Sequence, residues 1–289
     1  MARNRKPQGA DAFEAYYGDM FGSRWRALRT ALRLEPRPVP FCPCGRATYF
    51  LDMASAYAAA CLPLAQARRI LDMCAAPGGK TLVLARRMES GAELFANERS
   101  MDRRNRLVKV CNDHLCEPLL GRVHISCSDA ALWCTRRQEP FDAILLDAPC
   151  SSERHVLADA KYLAQWTAHR ARSLAMAQWA LLSSGWRILA EGGCLLYVTC
   201  ALNAAENDAV VQRLLERFPD AQCEGGLAAD ADFLSQFFPL RQPLPERTRF
   251  GFRILPDSSD GAGPLYFCLV RKKNVQNRWT RRMPSGIIA

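Results

Sequence analysis

The sequence FDAILLDAPCSS, residues 141–152, shows how the chain is built. It begins with a largely apolar run over 141–146, the pattern of a short buried strand, and Pro149 interrupts that pattern. Asp147 is therefore predicted to lie at the carboxyl end of the strand, the edge where an open α/β sheet binds ligands. Cys150 follows three residues later. The carboxyl and the thiol either share a site or lie in a buried loop, because cysteine is among the most buried residue types.

Around this stretch, short apolar runs alternate with longer segments of helical periodicity. This alternation is typical of a parallel sheet with crossover helices. The predicted strands lie near 69–73, 93–97, 123–126, 141–147, 194–199, 250–255 and 265–270, and the last two form an antiparallel hairpin. The predicted helices lie near 79–88, 100–112, 171–190 and 203–217. Gly192-Gly193 is predicted to end the helix that precedes the fifth strand.

A small helical region precedes this main domain. Apolar residues spaced three and four apart over 11–34 predict an amphipathic stripe, which Gly18 and Gly22 divide into two helices. The opposite face carries the four arginines Arg24, Arg26, Arg29 and Arg33. Such a face is either solvated or contacts phosphate. The proline-rich segment 35–40 separates the helices from the main domain.

The charge of the chain favours a polyanionic partner. There are 39 Lys and Arg against 29 Asp and Glu, a net charge of +10, which favours nucleic acid over a merely basic surface. The segment 271–282 has six basic residues, no acid and Trp279, which suits nucleic acid or a solubilising tail.

The sequence shows no targeting or membrane segment. We find no long uncharged apolar run for a membrane span and no apolar core of a signal peptide near the start. Asp11, Glu14 and Asp19 argue against a transit peptide. We predict a bacterial cytoplasmic protein, with the mitochondrial matrix as the alternative.

The thirteen cysteines are predicted to be mostly free thiols, because a chain without a secretion signal stays in a reducing compartment. Cys42-Pro-Cys44 resembles half of a zinc knuckle, and four further cysteines invite the same interpretation: Cys111, Cys116, Cys127 and Cys134. No second pair has convincing ligand spacing and there are only four histidines, so we predict no metal site.

The first predicted strand runs into the glycine turn DMCAAPGGKT, residues 72–81. Small residues at a strand-to-helix turn let a ligand approach the backbone and the free N–H groups of the helix. The spacing matches neither a Walker loop nor GxGxxG. Glu98 after the second strand could accept the hydroxyls of a ribose, and Asp129 after the third could accept from an adenine edge. Either acid could instead cap a helix.

A second thiol reaches the same sheet edge at Tyr197-Val-Thr-Cys200. Methylation of a pyrimidine at C5 requires prior addition to C6, and a thiolate is suited to that addition because it can leave again. Asp147 could stabilise the charge that moves onto the ring, and the base must be out of its stack to be reached. An amine methyltransferase would instead need an Asp/Asn-Pro-Pro-aromatic turn, which Asp147-Ala-Pro-Cys150 is not.

Taken together, the motifs strongly resemble the Nop/Sun (Fmu/Sun) family of S-adenosylmethionine-dependent RNA cytosine-5 methyltransferases. The matching segments are DMCAAPGGKT (72–81), ANERSMDRRNRL (96–107), the Asp129 turn, DAPCSS (147–152) and YVTCALNAAEN (197–207). Two more segments look like the branch of the mitochondrial small-subunit rRNA enzyme, FEAYYGDMFGSRWRALRTAL (13–32) and GPLYFCLVRK (263–272). This similarity favours ribosomal RNA over transfer RNA as the substrate.

The resemblance implies a Rossmann-like class I methyltransferase fold with a seven-stranded, mostly parallel sheet. By position it implies Cys200 as the nucleophile, Cys150 as the thiol needed for product release, and Asp147 as the contact to the cytosine edge. Lys80 would support the thiolate and the developing negative charge. The residues implied to hold S-adenosyl-L-methionine are Cys74, Ala75, Ala76, Pro77, Gly78, Gly79, Lys80, Glu98, Arg103, Asp129 and Asp147.

The chain departs from the family pattern in a few places. Glu98 stands where the family more often has Asp, which keeps the acceptor, and Ala201 replaces a frequent Ser or Thr. We expect the chain to lack the long helical domain of the large bacterial enzyme and the extra RNA-binding domain of other members. We therefore predict an N-terminal helical RNA-binding region over 1–60, a catalytic domain over 61–272 and a basic tail over 273–289. The predicted partners are ribosomal RNA or the small subunit, with an accessory RNA-binding protein as a further candidate. The chain is predicted to be monomeric and to make no membrane contact.

Three alternatives stay open. The chain could act on transfer RNA, or be a DNA-type enzyme that attacks through its Pro-Cys turn, although no large target-recognition segment follows the catalytic strands. It could also be a non-catalytic ribosome-assembly factor that binds RNA. The intact set of Cys200, Cys150, Asp147 and Lys80 argues against the loss of activity.

Overall fold

Helices and strands alternate along most of the chain in the computed structural model, which describes residues 8–136, 139–226, 229–239 and 242–274. The α-helices are α1 (Ala10–Phe21), α2 (Trp25–Arg33), α3 (Met53–Ala60), α4 (Gly79–Arg87), α5 (Met101–His114), α6 (Glu117–Leu120), α7 (Glu153–Ala158), α8 (Ala160–Ala164), α9 (Ala168–Ile188), α10 (Asp208–Arg217) and α11 (Ala231–Phe237). The strands are β1 (Val39–Phe41), β2 (Tyr49–Leu51), β3 (Arg69–Asp72), β4 (Glu93–Glu98), β5 (Val123–Cys127), β6 (Phe141–Asp147), β7 (Leu189–Thr199), β8 (Ala221–Cys223), β9 (Glu246–Arg247), β10 (Phe252–Ile254) and β11 (Leu265–Lys272).

The main sheet has the strand order β5-β4-β3-β6-β7-β11-β10-β9, with β8 paired to β11. Strands β3 to β7 are parallel, and β11 is antiparallel to both β7 and β10. The predicted fold and its terminal hairpin are confirmed. The predicted number of seven strands is wrong, because the sheet already has nine within the described residues. Strands β8 and β9, of three and two residues, are too short to leave an alternating pattern in the sequence.

Both faces of this sheet are covered, as its apolar strands require. Successive side chains of a strand point to opposite faces, so Ile70 and Leu145 pack in one buried cluster while Leu71 and Leu146 pack in the other. The first cluster includes residues of α3, α4, α5 and α11, and the second includes residues of α9 and α10. The carboxyl ends of β3, β4, β6 and β7 consequently open at one edge between two helical layers.

The predicted N-terminal helices are present and pack on the main domain. Phe13 and Tyr17 of α1 and Leu28 of α2 join a third cluster with Trp166 and Leu202. The predicted break at Gly18 is wrong, because α1 continues through it and ends at Phe21, before a short 3₁₀ turn that begins at Gly22.

The arginine face of these helices is divided in its contacts. Arg24 donates to Asp257 at 2.7 Å and to Glu246, and Arg29 pairs with Glu14 at 2.5 Å. Arg26 and Arg33 are exposed. The face is therefore partly an internal ion-pair surface.

Gly192 and Gly193 do not end a helix. α9 stops at Ile188, and β7 runs from Leu189 through both glycines. The register between β6 and β7 shifts here, with Phe141 opposite Leu189 and Ala143 opposite Cys194. Gly192 has a φ of 78°, and a Cβ on Gly193 would lie 2.7 Å from the carbonyl oxygen of Asp142. The glycines allow a β-bulge at this position. Glycine is also common where helices end, which is why the sequence pattern predicted a helix end here.

Other expectations concern the cysteines, the membrane and the tail. All thirteen cysteines are free thiols, and the sulfurs of Cys44 and Cys116 lie 2.9 Å apart. Among the described residues there is no group of three or more potential metal ligands, and no helix combines the length and apolar character needed to cross a membrane. Most of the predicted basic tail, residues 275–289, lies outside the described residues.

Candidate active site

The turn over 74–79 joins β3 to α4 and leaves the N-terminus of α4 open. Gly78 has a φ of +125°, and a Cβ there would lie 2.8 Å from Cγ1 of Val110. Only glycine meets both demands without strain. A Cβ on Gly79 would lie 3.0 Å from the ring of Tyr49, so the turn passes close to β2 as well.

A cavity of about 230 Å³ lies over this turn. It is lined by Tyr49, Phe50, Leu51, Asp52, Ser55, Asp72, Cys74, Ala75, Ala76, Pro77, Gly79, Lys80 and Asp147. The structure therefore brings together seven of the eleven residues predicted to hold the cofactor: Cys74, Ala75, Ala76, Pro77, Gly79, Lys80 and Asp147. Tyr49 belongs to the hairpin β1–β2, whereas Asp52 and Ser55 lie at the start of α3. No motif in the sequence predicts that these elements reach the turn.

Two buried carboxylates near this cavity keep an oxygen free. Glu98 is 4% exposed, and its Oε1 accepts from the backbone N–H of Ser100 at 3.0 Å. Its Oε2 has no hydrogen-bond partner among the described residues, and Nη2 of Arg103 stands 3.6 Å away. Arg103 also donates to the carbonyl oxygen of Ala76 at 2.7 Å, which ties the turn to α5. A buried acceptor without a donor is costly, and a ligand hydroxyl would satisfy it.

Asp72 is the second of these carboxylates, and the sequence motifs did not predict it as a site residue. It is 1% exposed, and its Oδ2 accepts from the hydroxyl of Thr81 at 2.8 Å. Its Oδ1 has no partner in the described part of the chain. Burial raises the pKa of Asp72 to about 7, although the hydrogen bond from Thr81 lowers it. Its position at the start of the glycine motif, directly at a strand end, is the signal that could have identified it.

Asp129 lies apart from these groups and makes a capping contact. Its side chain accepts from the backbone N–H of Ala131 at 3.1 Å at the start of a 3₁₀ helix, and Nε of Arg99 is 3.7 Å from Oδ2. The capping alternative considered for this residue is thus realised. Its carboxyl is 34% exposed, so one oxygen stays accessible. Its role toward a cofactor stays a prediction.

A second cavity, of about 260 Å³, adjoins the first. Both are lined by Asp52, Ser55, Lys80 and Asp147, and the second also by Pro36, Ser152, Arg154, Cys200, Gly263, Pro264 and Leu265. The structure therefore brings Lys80, Asp147 and Cys200 into one pocket, as the motifs predict. A group bound over the glycine turn and a group bound beside Cys200 would meet at Lys80 and Asp147.

Lys80 and Asp147 form an ion pair between the two cavities. Nζ of Lys80 donates to Oδ2 of Asp147 at 2.7 Å and to the hydroxyl of Ser55 at 3.1 Å. Burial of the Lys80 ammonium lowers its pKa, but the charge of Asp147, the hydrogen bond to Asp147 and the charge of Asp72 together outweigh burial and raise the pKa above its ordinary value. Lys80 thus carries a fixed positive charge at the pocket that Cys200 lines.

The two thiols differ in their surroundings. Asp147 of β6 pairs with Val198 of β7, so these adjacent strands bring the following turns together. The backbone N–H of Cys200 donates to Sγ of Cys150 at 3.2 Å. The side-chain hydrogen bond with the Cys200 thiol and burial raise the pKa of Cys150 well above its ordinary value, although the backbone N–H of Cys200 lowers it, so Cys150 is a protonated thiol at neutral pH. Among the described residues, Cys200 lines the second cavity and Cys150 does not.

The paired strand ends, the two thiols and the glycine turn invite comparison with known proteins. A family model described as 16S rRNA methyltransferase RsmB/F matches residues 59–250. The chain belongs to this family. The resemblance found in the motifs is thereby confirmed.

Curated relatives of this RsmB/F chain include ribosomal RNA small subunit methyltransferase F from Erwinia tasmaniensis, which is 40% identical over 53% of this chain and 31% of its own length. The 5-cytosine rRNA methyltransferase NSUN4 from Xenopus laevis is 32% identical over 76% of this chain and 55% of its own length. The chain thus matches between about a third and about half of the length of these relatives.

Solved structures show the same fold. A methyltransferase homologue from Pyrococcus horikoshii superposes with a TM-score of 0.68 at 21% identity, over 90% of this chain and 94% of that one. NSun6 from Pyrococcus horikoshii, solved with SFG, gives a TM-score of 0.58 at 23% identity, over 78% of this chain and 53% of that one.

Proposed function

We propose that this RsmB/F chain transfers a methyl group from S-adenosyl-L-methionine to C5 of a cytosine in ribosomal RNA, through a covalent bond between Cys200 and C6. The observation that carries the proposal is the shared wall of the two cavities. Cys200 lines one cavity, the glycine turn lines the other, and the Lys80–Asp147 pair lies between them. The names of the relatives, which include a 5-cytosine rRNA methyltransferase, agree with this chemistry.

The first cavity suits the proposed cofactor. S-adenosyl-L-methionine, when bound, supplies an electrophilic methyl group. The free oxygen of Glu98 would accept from its ribose hydroxyls, and the free oxygen of Asp72 would accept from its amino group. The turn over 74–79 would present backbone N–H groups with no side chain in the way at Gly78. Both oxygens are buried and have no hydrogen-bond partner within the described residues, so a bound cofactor would satisfy them.

The second cavity suits a cytosine turned out of its stack. Sγ of Cys200 would attack C6 as a thiolate, which forms the S–C6 bond and moves an electron pair toward N3 and C5. The carboxylate of Asp147 would accept from the exocyclic amino group, and the Lys80 ammonium would stabilise the negative charge on the ring. C5 would then bond to the methyl group as the bond between that methyl group and the cofactor's sulfur breaks, with the electron pair staying on the sulfur.

Release of the product reverses the first step. A base from the solvent takes the proton on C5, the electron pair of that C–H bond re-forms the C5–C6 double bond, and the sulfur of Cys200 leaves as a thiolate. Cys150 is protonated and in contact with the Cys200 backbone, so we assign it to this release step. The opposite assignment, with Cys150 as the nucleophile, would need a thiol outside the lining of the second cavity to attack.

The RNA would contact the N-terminal region over 1–60 that the sequence predicts to bind it. A groove of about 660 Å³ runs beside α2 and is lined in part by the exposed Arg26 and Arg37. Arg37 lies 3.0 Å from the exposed Asp260, a weak pair that RNA phosphates could replace. The basic tail over 273–289 would add further charge.

Analysis of modified nucleosides tests the proposal. The full chain is incubated with S-adenosyl-L-methionine and unmodified small-subunit ribosomal RNA, transfer RNA or a DNA oligonucleotide, and the products are digested for mass spectrometry. We expect 5-methylcytidine in the ribosomal RNA, none with Cys200→Ala, and an RNA adduct that accumulates with Cys150→Ala. Methylation of transfer RNA alone or of DNA alone would reject the substrate assignment. Wild-type chain that binds RNA without methylating any of the three would favour the assembly factor.

A further inference from the structure

Two buried carboxylates lie behind the reaction pocket. Each follows one of the two cysteine turns and accepts a hydrogen bond from the backbone of the other turn. Glu153 follows the Cys150 turn, and its Oε2 accepts from the backbone N–H of Leu202 at 3.0 Å, just after Cys200. Glu206 follows the Cys200 turn, and its Oε2 accepts from the backbone N–H of Ser151 at 2.9 Å, directly after Cys150. Both carboxylates are 0% exposed. We call this pair of crossed contacts the reciprocal clamp.

Neutral side chains connect the two halves of the clamp. Nδ2 of Asn203 donates to Oε1 of Glu206 at 2.7 Å and to Oε1 of Glu153 at 3.3 Å. Gln178 of α9 donates to Glu206 at 2.8 Å and to the carbonyl oxygen of Pro149 at 2.9 Å. The bond from Asn203 to Glu206 lies within the segment that follows Cys200, and the other three bonds each join two of the Cys150 turn, the Cys200 turn and the long helix α9. The relative position of the two thiols is therefore set by this network.

The N-terminal helix supplies a further hydrogen-bond donor to Glu153. The phenol of Tyr17 on α1 donates to Oε1 of Glu153, and Tyr17 is 0% exposed. The hydroxyl of Ser151 donates to the same oxygen. Within the described residues neither Glu153 nor Glu206 forms an ion pair with a cation, so hydrogen bonds alone compensate the burial of these carboxyls. If one donor were removed, a buried carboxylate oxygen would lose a hydrogen bond that solvent cannot replace, which costs free energy.

We propose that Tyr17 is a positioning residue for catalysis, which acts through Glu153 to fix the Cys200 turn, while Glu206 fixes the Cys150 turn. The inference rests on the proposed function, because it assigns each half of the clamp to one step. The Tyr17–Glu153 half serves the attack of Cys200 on C6. The Glu206 half serves the release that Cys150 assists. The N-terminal helix is thereby a structural part of the active site.

The first test compares Tyr17→Phe with Tyr16→Phe in the full chain. Tyr16 is the neighbouring, partly exposed tyrosine, and its hydroxyl makes no hydrogen bond within the described residues. We expect Tyr17→Phe to lower kcat about 10- to 100-fold, with KM for RNA and the affinity for S-adenosyl-L-methionine within about twofold of wild type. Tyr16→Phe should match wild type. Equal kcat in the two variants, or equal losses in kcat and in cofactor affinity, would overturn the assignment.

The second test separates the two halves of the clamp with variants that keep the side-chain shape. We expect Glu153→Gln to slow formation of the covalent complex with 5-fluorocytosine RNA about tenfold or more. We expect Glu206→Gln to form that complex at nearly the wild-type rate and to accumulate an adduct with ordinary RNA. The same defect in both variants, or none, would refute the assignment of steps. If wild type itself gave neither methylation nor adduct, the proposed function would fail instead, so the two failures are distinguishable.

Discussion

At the scale of single residues, Asp72 gives a prediction about pH. Its folded-state pKa of about 7 lies above the value of about 4 for an unfolded Asp, so its burial favours the folded state most below pH 4. This contribution is lost as the pH rises through 7. We expect the free energy of unfolding of wild type to fall between pH 5 and 7 by on the order of 1 kcal/mol per pH unit from this group.

Urea unfolding of Asp72→Asn between pH 5 and 8 measures this effect. The free energy of unfolding of Asp72→Asn should depend less on pH than that of wild type. Asp232→Asn, which changes an exposed carboxyl, should keep the wild-type slope of unfolding free energy against pH. An unchanged slope in Asp72→Asn would show that Asp72 is ionised in the folded chain throughout this range.

Lys80 gives a prediction about the reaction. Lys80→Met removes the positive charge that lies 2.7 Å from Asp147 and faces the Cys200 pocket. Because charge stabilisation of this kind contributes strongly in a dry site, we expect the single-turnover rate of methylation to fall about 10²- to 10³-fold. Lys161→Met, at an exposed lysine, is the control. A variant that forms the covalent adduct as fast as wild type would remove Lys80 from the mechanism.

Much of the site could be predicted residue by residue, because several of its residues stand in short sequence motifs. Lys80, Asp147 and Cys200 each stand in a short motif at a strand end, and strand ends of a parallel sheet meet at one edge. Asp52 and Ser55 could not be predicted, since they line both cavities from the start of α3, which no motif marks.

At the scale of elements, the β-bulge in β7 makes a testable demand on Gly193. A Cβ at this position would meet backbone oxygen at 2.7 Å, and the backbone cannot move without disturbing the pairing of β6 with β7. We expect Gly193→Ala to reduce the free energy of unfolding by about 1–3 kcal/mol. Gly226→Ala, where a Cβ would have nothing within 4 Å, should be close to neutral in the same denaturation experiment. Equal stability of the two variants would contradict the bulge interpretation.

The start of α10 shows why some element boundaries could not be predicted. The sequence predicts a helix from residue 203, but α10 begins at Asp208. The preceding residues use their side chains elsewhere, since Asn203 and Glu206 belong to the clamp and Nδ2 of Asn207 donates to the carbonyl oxygen of Ala201 at 2.8 Å. Local helical preference gives way here to contacts around the Cys200 turn, as is common at functional sites.

At the scale of the whole molecule, the net charge of +10 predicts salt-dependent RNA binding. We expect the logarithm of the RNA affinity to fall linearly with the logarithm of the salt concentration. Removal of residues 275–289 deletes Arg278, Arg281 and Arg282, which should reduce the magnitude of the slope by up to about 2 if all three contact phosphate. Filter binding at several salt concentrations measures both slopes, and an unchanged slope would exclude the tail from RNA binding.

The packing of the N-terminal helices on the main domain could be predicted only in part. Their apolar stripe was evident from spacing, but the contact of Tyr17 with Glu153 joins residues 136 positions apart. No periodic pattern specifies which surface receives such a stripe. The clamp joins both cysteine turns and α1, which are distant in the sequence, so no local pattern predicts it.

The most direct test of the central claim is to identify the cysteine that bonds to the RNA. RNA with 5-fluorocytosine at the target position retains its covalent bond, because fluorine at C5 cannot leave as a proton. After digestion of the trapped complex of the full chain, mass spectrometry locates the modified peptide. The account predicts the nucleotide on Cys200. A nucleotide on Cys150 would contradict it and reverse the roles of the two thiols.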